Sequence, residues 1–486
     1  MTPRLNLRCG SMDRAVGATA AGDVLRTVLP NVDLVATGSD GALWAAPSVG
    51  LPPAGKAPLR AAPATADGAA TLLDGGGDAT LGAYLKAQTR RVTSRCGHID
   101  PGSLEEAREA GAYVGLKQAL SMSPAEVVAV VENSGLRGRG GAYFPVHLKW
   151  RSALEASTRN GEPILVVNAE EGEPGVFKDR LLMESDPHRL LEGILIAAYA
   201  IGAGSVYVYV NGLARLSAER VEQAITRAQA VGLVGGDAGP SVEVRRGAGG
   251  YVCGEETVIL ESIEGWRAVP RLRPPFPTEH GLWGRPTVIN NVETLCNLPE
   301  ILRFGALWFR EVGTEEGPGT KLISLSGAVE RPGLIEVPMG TPIQQILAIG
   351  GGVGAHGVVA GGPSGGLLPA RKFDIAIGPG MMDPAGAVLG SGGMVAFDDR
   401  FPAVEVLQVE TAYNASESCG KCTPCREGSG RLVEALARLR TGDATARRDI
   451  DELVSVMQVA SLCGLGQMAP GPVTSALADF PELIGA

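Results

Sequence analysis

The chain lacks any stretch of 18 or more apolar residues, and its opening, MTPRLNLRCGSMDRA, has no apolar core followed by a cleavage site. The first absence argues against a membrane span and the second against a secretory signal, so a cytoplasmic protein without direct membrane insertion is expected. Clustered positive charge is missing too. With a formal net charge of −10 and a pI near 5.2, nothing basic gathers in a way that neutralises a row of phosphates, which argues against nucleic acid or an anionic membrane as partner. Cysteine is sparse: eight in 486 residues do not make a disulfide scaffold. Internal repeats, a P-loop and a nucleophilic triad are absent as well, which turns the reading away from hydrolysis and toward a cofactor.

What is present is length and glycine. A chain of 486 residues exceeds one ordinary core and calls for two to four domains, and Gly 68 with Pro 33 points to many tight turns and close backbone approaches. The first 85 residues read as helix, strand, turn and strand, followed by an Ala/Gly/Pro-rich stretch (PPAGKAPLRAAPATADGAATLLDGGGD) that resembles a linker or a loose edge. SLEEAREAGAYVGLKQAL predicts one helix and SPAEVVAVVENSGL a second, capped by Ser123 and ended by a glycine. From residue 163 strands and helices alternate as in an α/β layer structure. Residues 265–320 read as turn-rich, residues from 321 as a small α+β unit of about ninety residues, and residues from Ala415 as a helical bundle.

Four glycine-shaped segments carry the chemistry. GLRGRGGAYFP, with Gly138, Arg139, Gly140 and the downstream Lys149, lets backbone amides approach an anion or a flat ring and supplies cationic charge, although such a loop is more often a plain turn. NAEEGEPGVFKDR follows an apolar strand and sets Asn168, Glu170, Glu171 and Glu173 at its carboxyl end, where α/β folds bind ligands; the bland alternative is a solvated acidic loop. In RRGAGGYVCGEET a glycine turn runs through Tyr251, Cys253 and Gly254 into a helix beginning near Glu255, either an anion site or an ordinary helix start with Glu255 and Glu256 suiting the dipole. RLRPPFPTEHGLWGRPTVINNVET adds Arg273, Phe276, Asn290 and Asn291, and its aromatic and prolines suit a wall beside a flat ring or simply a rigid loop.

Cysteine concentrates in ESCGKCTPCREG, which sets Cys419, Cys422 and Cys425 at three-residue spacing, with Cys463 beyond a helical stretch. Cys-x2-Cys-x2-Cys plus a remote cysteine suits a [4Fe–4S] cluster, three thiolates from one loop and one that closes the cubane. Zinc is more usually held by two separated Cys-x2-Cys pairs. Of the scattered cysteines, Cys96 and Cys296 read as small buried hydrophobes.

Taken in order, these five motifs and CGLGQMAP, which begins at Cys463, closely resemble the family of FMN- and NAD(H)-binding flavin subunits shared by respiratory complex I, NAD-reducing hydrogenases and NAD-dependent formate dehydrogenases, over roughly residues 95 to 470. The resemblance implies a multidomain α/β fold: a degenerate thioredoxin-like domain (1–85), a Rossmann-like FMN- and NAD(H)-binding domain (86–318), a ubiquitin-like SLBB α+β domain (319–410) and a [4Fe–4S] helical bundle (411–486). It assigns FMN to Gly138, Arg139, Gly140, Lys149, Asn168, Glu170, Glu171, Tyr251, Gly254, Glu255, Asn290 and Asn291. The nicotinamide nucleotide falls to Phe144, Glu173, Glu256, Arg273 and Phe276, with Glu173 and Glu256 on its polar side, and the cluster to Cys419, Cys422, Cys425 and Cys463. The sequence departs from the family pattern at Tyr143, Glu170, Val146-His147 and Arg273, where members often carry Gly, Asp, Thr-Gly and Lys.

The N-terminal segment resembles a thioredoxin-like [2Fe–2S] domain in which only Cys9 remains of the ligands. With RCGHIDPGSLEEAREAGAYVGLKQAL and an end soon after the cysteines, this is most similar to the β subunit of soluble formate dehydrogenase. The reaction so implied is hydride transfer between NAD(H) and FMN followed by single-electron transfer to or from the cluster. The implied partners are a molybdenum and iron–sulfur catalytic subunit and a small [2Fe–2S] subunit. The equivalent subunit of a hydrogenase or of complex I is the alternative, and a zinc-clasp scaffold without enzymatic activity is a distant one.

Overall fold

A computed structural model of the protein describes residues 2–52, 59–236, 239–381 and 386–480. Three sheets and a helical array are built in chain order. In the first, β1 (Arg4–Arg8), β2 (Asp33–Thr37), β3 (Val49–Gly50) and β4 (Arg60–Ala61) lie in the order β2-β1-β3-β4; β1 and β2 are parallel and β3 runs against both β1 and β4. Leu5, Leu7, Leu25, Val49 and Leu72 fill its core. Buried Arg8 and Arg60 converge on Asp40, at 3.1 and 3.0 Å.

The stretch expected to be a linker is more ordered than its composition suggests. Residues 53–58 lie outside the described residues, but β4 and the helix Ala66–Leu73 follow, the helix capped by Thr65 Oγ1 accepting from the Gly68 amide at 3.2 Å. Two features outweigh the Ala/Gly/Pro background: the Asp40 pairing buries Arg60, and Ala69 with Leu72 forms an apolar face.

The second sheet is wholly parallel, β7-β6-β5-β8, from β5 (Ile164–Ala169), β6 (Ser205–Val210), β7 (Ser241–Arg246) and β8 (Thr287–Asn291). The helix Pro187–Ile201 joins β5 to β6 and is buried almost all round; Arg215–Ala230 joins β6 to β7. Two expectations are corrected here. The predicted helix after Ser103 is two helices, Leu104–Glu109 and Val114–Leu120, broken where Gly111 (φ 90°) and Tyr113 (φ 65°) turn left-handed. The segment read as turn-rich contains β8 and the helix Val292–Phe304; its five-residue strand and internal Pro299 disguise regular structure. Ser123 is the expected N-cap of Pro124–Ser134, and the helix is closed by left-handed Gly135 as expected; Glu126, returning a bond to Ser123, completes a capping box.

The third sheet, β10-β9-β13-β11-β12, is made of β9 (Thr320–Gly327), β10 (Gly333–Pro338), β11 (Gly357–Ala360), β12 (Gly366–Pro369) and β13 (Gly393–Phe397), parallel only between β9 and β13, with the helix Ile343–Gly350 against it. The helices Ala403–Ser416, Thr423–Arg440, Ala446–Ala460, Gly464–Met468 and Gly471–Asp479 complete the chain. Helical structure therefore begins at Ala403, ahead of Ala415. Among the described residues no helix is long and apolar enough to cross a membrane.

Candidate functional site

All four strands of the parallel sheet end at one edge, and the loops leaving it hold most of the predicted residues. Asn168, the penultimate residue of β5, staples two of these loops. Its Nδ2 donates to Gly254 O at 2.8 Å and its Oδ1 accepts from the Glu170 amide at 3.2 Å. Asn291 caps the helix Val292–Phe304 by accepting from the Glu293 amide at 3.0 Å, and donates to Asp179 at 2.6 Å. A Cβ on Gly140 would lie 3.0 Å from Asn291 Cβ, so the Gly138–Gly141 loop belongs to the same edge.

Two carboxylates here are incompletely satisfied. Glu170 Oε1 accepts from Asn211 Nδ2, while Oε2 is buried without a partner among the described residues. Burial pushes Glu170 up to about 7, against the lowering bond from Asn211. Glu173 Oε2 accepts from Ser391 Oγ at 2.7 Å and Oε1 is buried without a partner among the described residues; burial raises this group too. Unpaired buried acceptors are costly unless something else donates to them. The space to accommodate it is present: a Cβ at Gly138 or Gly254 would meet nothing closer than 3.6 or 3.5 Å, and one at Gly249 nothing within 4 Å. Glu170, whose Cγ would lie 4.0 Å from a Cβ on Gly254, fits a ligand with hydroxyl and ring N–H donors such as FMN, whereas Glu173 Oε1 packs against Gly362, where a Cβ would lie 2.4 Å from it.

Several other predicted residues are occupied by the protein itself. Arg139 is fully buried and its guanidinium donates to the carbonyls of Pro318, Thr320 and Arg137 at 2.6, 3.1 and 3.1 Å. The charge expected there for a phosphate is thus turned toward the start of the third sheet, leaving the loop's backbone facing the site. Glu171 accepts from the amides of Asp179 and Arg180 at 2.7 and 2.9 Å, and Asn290 from Trp150 Nε1 at 3.0 Å. Glu255 is the N-cap of Glu256–Ile263, accepting from the Thr257 and Val258 amides at 2.8 and 3.1 Å, with Arg273 3.8 Å away. Of the two readings of that helix start, the capped one describes the side chain. Lys149 pairs directly with Glu256 and also donates to Ile289 O at 3.3 Å. Phe144 and Phe276 remain 47% and 52% exposed, which leaves both rings free to meet a ligand.

Beneath the loops lies a buried charge network that the sequence did not announce. Lys178 reaches Asp179 at 2.7 Å and Glu293 at 3.2 Å, and Lys321 on β9 reaches Glu293 at 2.5 Å. Burial brings Lys321 down to about 8 despite Glu293 beside it. Asn211, Ser391, Tyr413 and Glu417 were also missed. Asn211 alone had a local signal, at the carboxyl end of an evident strand; the others come from distant segments.

The four cysteines occupy one locality. Cys422 and Cys463 stand at the N-caps of Thr423–Arg440 and Gly464–Met468, and Cys425 lies in the first turn of the former. Cys422, Cys425, Cys463 and Leu465 pack together against Tyr251 and Val252 of the glycine turn. Cys419 is close enough to act electrostatically on both Cys425 and Cys463. Burial pushes the Cys463 thiol up to about 11, while backbone amides of Gly466 and Leu465 pull it down. Among the described residues no three His, Cys, Asp or Glu groups converge tightly enough to hold one metal ion. A cubane distributes one thiolate to each iron and needs no such convergence, and four thiols around an apolar locality fit it. A cavity of about 450 Å3 lies elsewhere, lined by Arg90, Arg91, Arg95, Arg303 and Trp308. Arg90, Arg91 and Arg95 are committed there to Asp40 O, Trp308 O and Asp186.

Comparison with known proteins gives three family matches: the Nuo51 FMN-binding domain at residues 131–300, the SLBB domain at 322–368 and the NADH-ubiquinone oxidoreductase-F iron-sulfur binding region at 405–486. The HndC subunit of the NADP-reducing hydrogenase of Solidesulfovibrio fructosivorans is 43% identical over 408 residues, 81% of this chain and 82% of that one. The F 2 subunit of NADH-quinone oxidoreductase from Rhizobium meliloti (strain 1021) is 42% identical over 398 residues, 79% and 94% of the two chains. A crystal structure of NAD+-reducing [NiFe]-hydrogenase in the H2-reduced state superposes with a TM-score of 0.72 at 30% identity, covering 99% of this chain and 84% of that one.

Proposed function

Because the chain belongs to the family of FMN-binding flavin subunits with a C-terminal iron–sulfur region that occurs in NADH-quinone oxidoreductases and NAD(P)-reducing hydrogenases, we propose that it is the NAD(H)-handling β subunit of a cytoplasmic NAD-dependent molybdenum formate dehydrogenase. At the coarser level it is an NADH oxidoreductase subunit that binds FMN and a [4Fe–4S] cluster and works within a multisubunit complex. The observation that carries the site is the pair of buried carboxylate oxygens, Glu170 Oε2 and Glu173 Oε1, without partners among the described residues, at the carboxyl edge of a parallel sheet, with the cysteine locality packed on the adjoining turn.

Bound there, FMN supplies the exchange of a hydride with nicotinamide and of single electrons with the cluster. Glu170 would accept hydrogen bonds from the flavin, and Asn168 holds the loop that presents it. Gly138, Gly140 and Gly254 let the backbone come close, while Arg139, Glu171, Glu255, Asn290 and Asn291 shape the cradle through the internal bonds described above. Lys149 balances Glu256 at its edge, and Tyr251, packed against the cysteines, would face the flavin from the glycine turn. Phe144 and Phe276 offer flat faces to the nicotinamide nucleotide, with Glu173, Glu256 and Arg273 on its polar side. Cys419, Cys422, Cys425 and Cys463 hold the cluster.

Support for formate dehydrogenase rests on the N-terminal unit, a β2-β1-β3-β4 sheet read as thioredoxin-like, whose residues 1–85 carry a single cysteine, Cys9. The partners on this reading are a molybdenum and iron–sulfur catalytic subunit and a small [2Fe–2S] subunit. NAD+ reduction by the native complex decides it: formate-dependent reduction is expected, and reduction driven by hydrogen instead would assign the chain to a hydrogenase.

A further inference from the structure

One short segment touches both flavin loops and then becomes the first ligand loop. It begins in the last turn of the helix Ala403–Ser416 and ends at Cys419. Glu417 Oε2 accepts the Tyr251 backbone N–H at 2.7 Å, and a Cβ on Gly250 would lie 3.7 Å from the same oxygen. One turn earlier, Tyr413 donates its hydroxyl to Gly172 O at 3.3 Å, and its ring lies against Tyr251 with centroids 6.0 Å apart. Tyr413 and Glu417 are four residues apart, so they share one side of the helix end and reach both loops from it. The ligand loop is fastened back in turn: Arg267 donates to Cys419 O at 3.0 Å and Lys421 to Pro270 O at 2.6 Å.

We propose that Tyr413 and Glu417 are positioning residues that clamp the Gly172 and Tyr251 loops to the first ligand loop, so that the separation between flavin and cluster is set by hydrogen bonds across the domain boundary. The inference rests on the flavin-and-cluster reading of the site. Single-electron transfer weakens steeply with separation, whereas hydride transfer depends on how nucleotide and flavin stack. Loosening the clamp therefore slows the first and spares the second. A glutamine in the same place still offers a carbonyl oxygen to the Tyr251 amide.

The test uses the holoprotein with three readouts: deuterium exchange at the Tyr251 amide, NADH-driven reduction of the cluster followed by rapid-freeze electron paramagnetic resonance, and NADH-driven reduction of a soluble dye at the flavin. In Glu417→Ala the amide exchanges about ten-fold faster or more, cluster reduction slows about ten-fold and dye reduction stays within about two-fold. Glu417→Gln keeps all three near wild type. Should Glu417→Ala fail to fold, Tyr413→Phe, which removes one hydroxyl, still slows cluster reduction while leaving dye reduction intact. Unchanged exchange and cluster reduction in Glu417→Ala overturns the proposal. So do dye and cluster rates falling in proportion, and so does a Glu417→Gln as impaired as the alanine variant. A wild-type protein whose flavin does not respond to NADH refutes the functional reading instead, and the exchange arm still decides whether the clamp exists.

Discussion

Replacing Glu170 by Gln should make the FMN-free protein more stable at alkaline pH and less able to hold FMN. Burial raises this carboxyl from 4.5 to about 7 in the folded chain, and its Oε2 has no partner among the described residues. In the unfolded chain the group ionises at its ordinary value. Between these two values the folded protein keeps a proton that the unfolded one has released, so wild-type stability falls as pH rises from about 4.5 to 7 and is level above. The span corresponds to about 2–3 kcal/mol, allowing for partial solvent access to the side chain. A glutamine carries no charge to desolvate and can still accept from Asn211. At about 2–4 °C per kcal/mol, Glu170→Gln raises the melting midpoint by about 4–12 °C at pH 8 and by no more than about 2 °C at pH 5. Calorimetry of both FMN-free proteins at the two pH values gives the comparison, and Glu171, Glu410 and Asp13, which also stand near 7, cancel in the difference. An unchanged or lowered midpoint at pH 8, or an equal rise at both, refutes the view that the carboxylate is held at a cost the cofactor offsets.

Other expectations follow from the same geometry. Glu336, fully buried on β10, accepts the amides of Arg91, Val92 and Thr93 and the hydroxyls of Thr93 and Thr320, so Glu336→Ala strands these donors and lowers stability by about 3–6 kcal/mol in thermal unfolding; a shift under about 1 kcal/mol would sink that reading. Cys463→Ala, metal analysis and flavin fluorescence should show iron lost and FMN retained, whereas loss of FMN alone contradicts the cluster assignment. Phe144→Ala, removing a half-exposed ring, raises KM for NADH about ten-fold or more in the dye assay with little change in flavin content; an unaltered KM removes Phe144 from the nucleotide site.

Where the chemistry lay close together in sequence, it could be read directly. The strand ILVVNA and the Ser123 N-cap with its closing glycine are each confined to a short stretch of chain, and each local rule matched the fold. Orientation was harder to foresee. Arg139 looked like a phosphate ligand because its neighbours are glycines, but the carbonyls that take its guanidinium lie far along the chain at Pro318 and Thr320. Comparable distances along the chain hid Ser391 behind Glu173 and Glu417 behind Tyr251. Strand β8 and its helix escaped because Pro286 and Pro299 make ordered structure look like loop, and Arg60 escaped because its burial depends on Asp40. Patterns along the chain specify elements; the pairing of buried polar groups across elements is settled by the fold.

The most direct test is an anaerobic NADH titration of the purified protein, followed by visible absorption and electron paramagnetic resonance. Bleaching of flavin bands together with the appearance of a reduced iron–sulfur signal that disappears in Cys463→Ala is the predicted result. A colourless, zinc-containing protein, or a flavin that NADH reduces with no iron–sulfur signal, would contradict the claim that this chain joins NAD(H), FMN and a [4Fe–4S] cluster in one electron path.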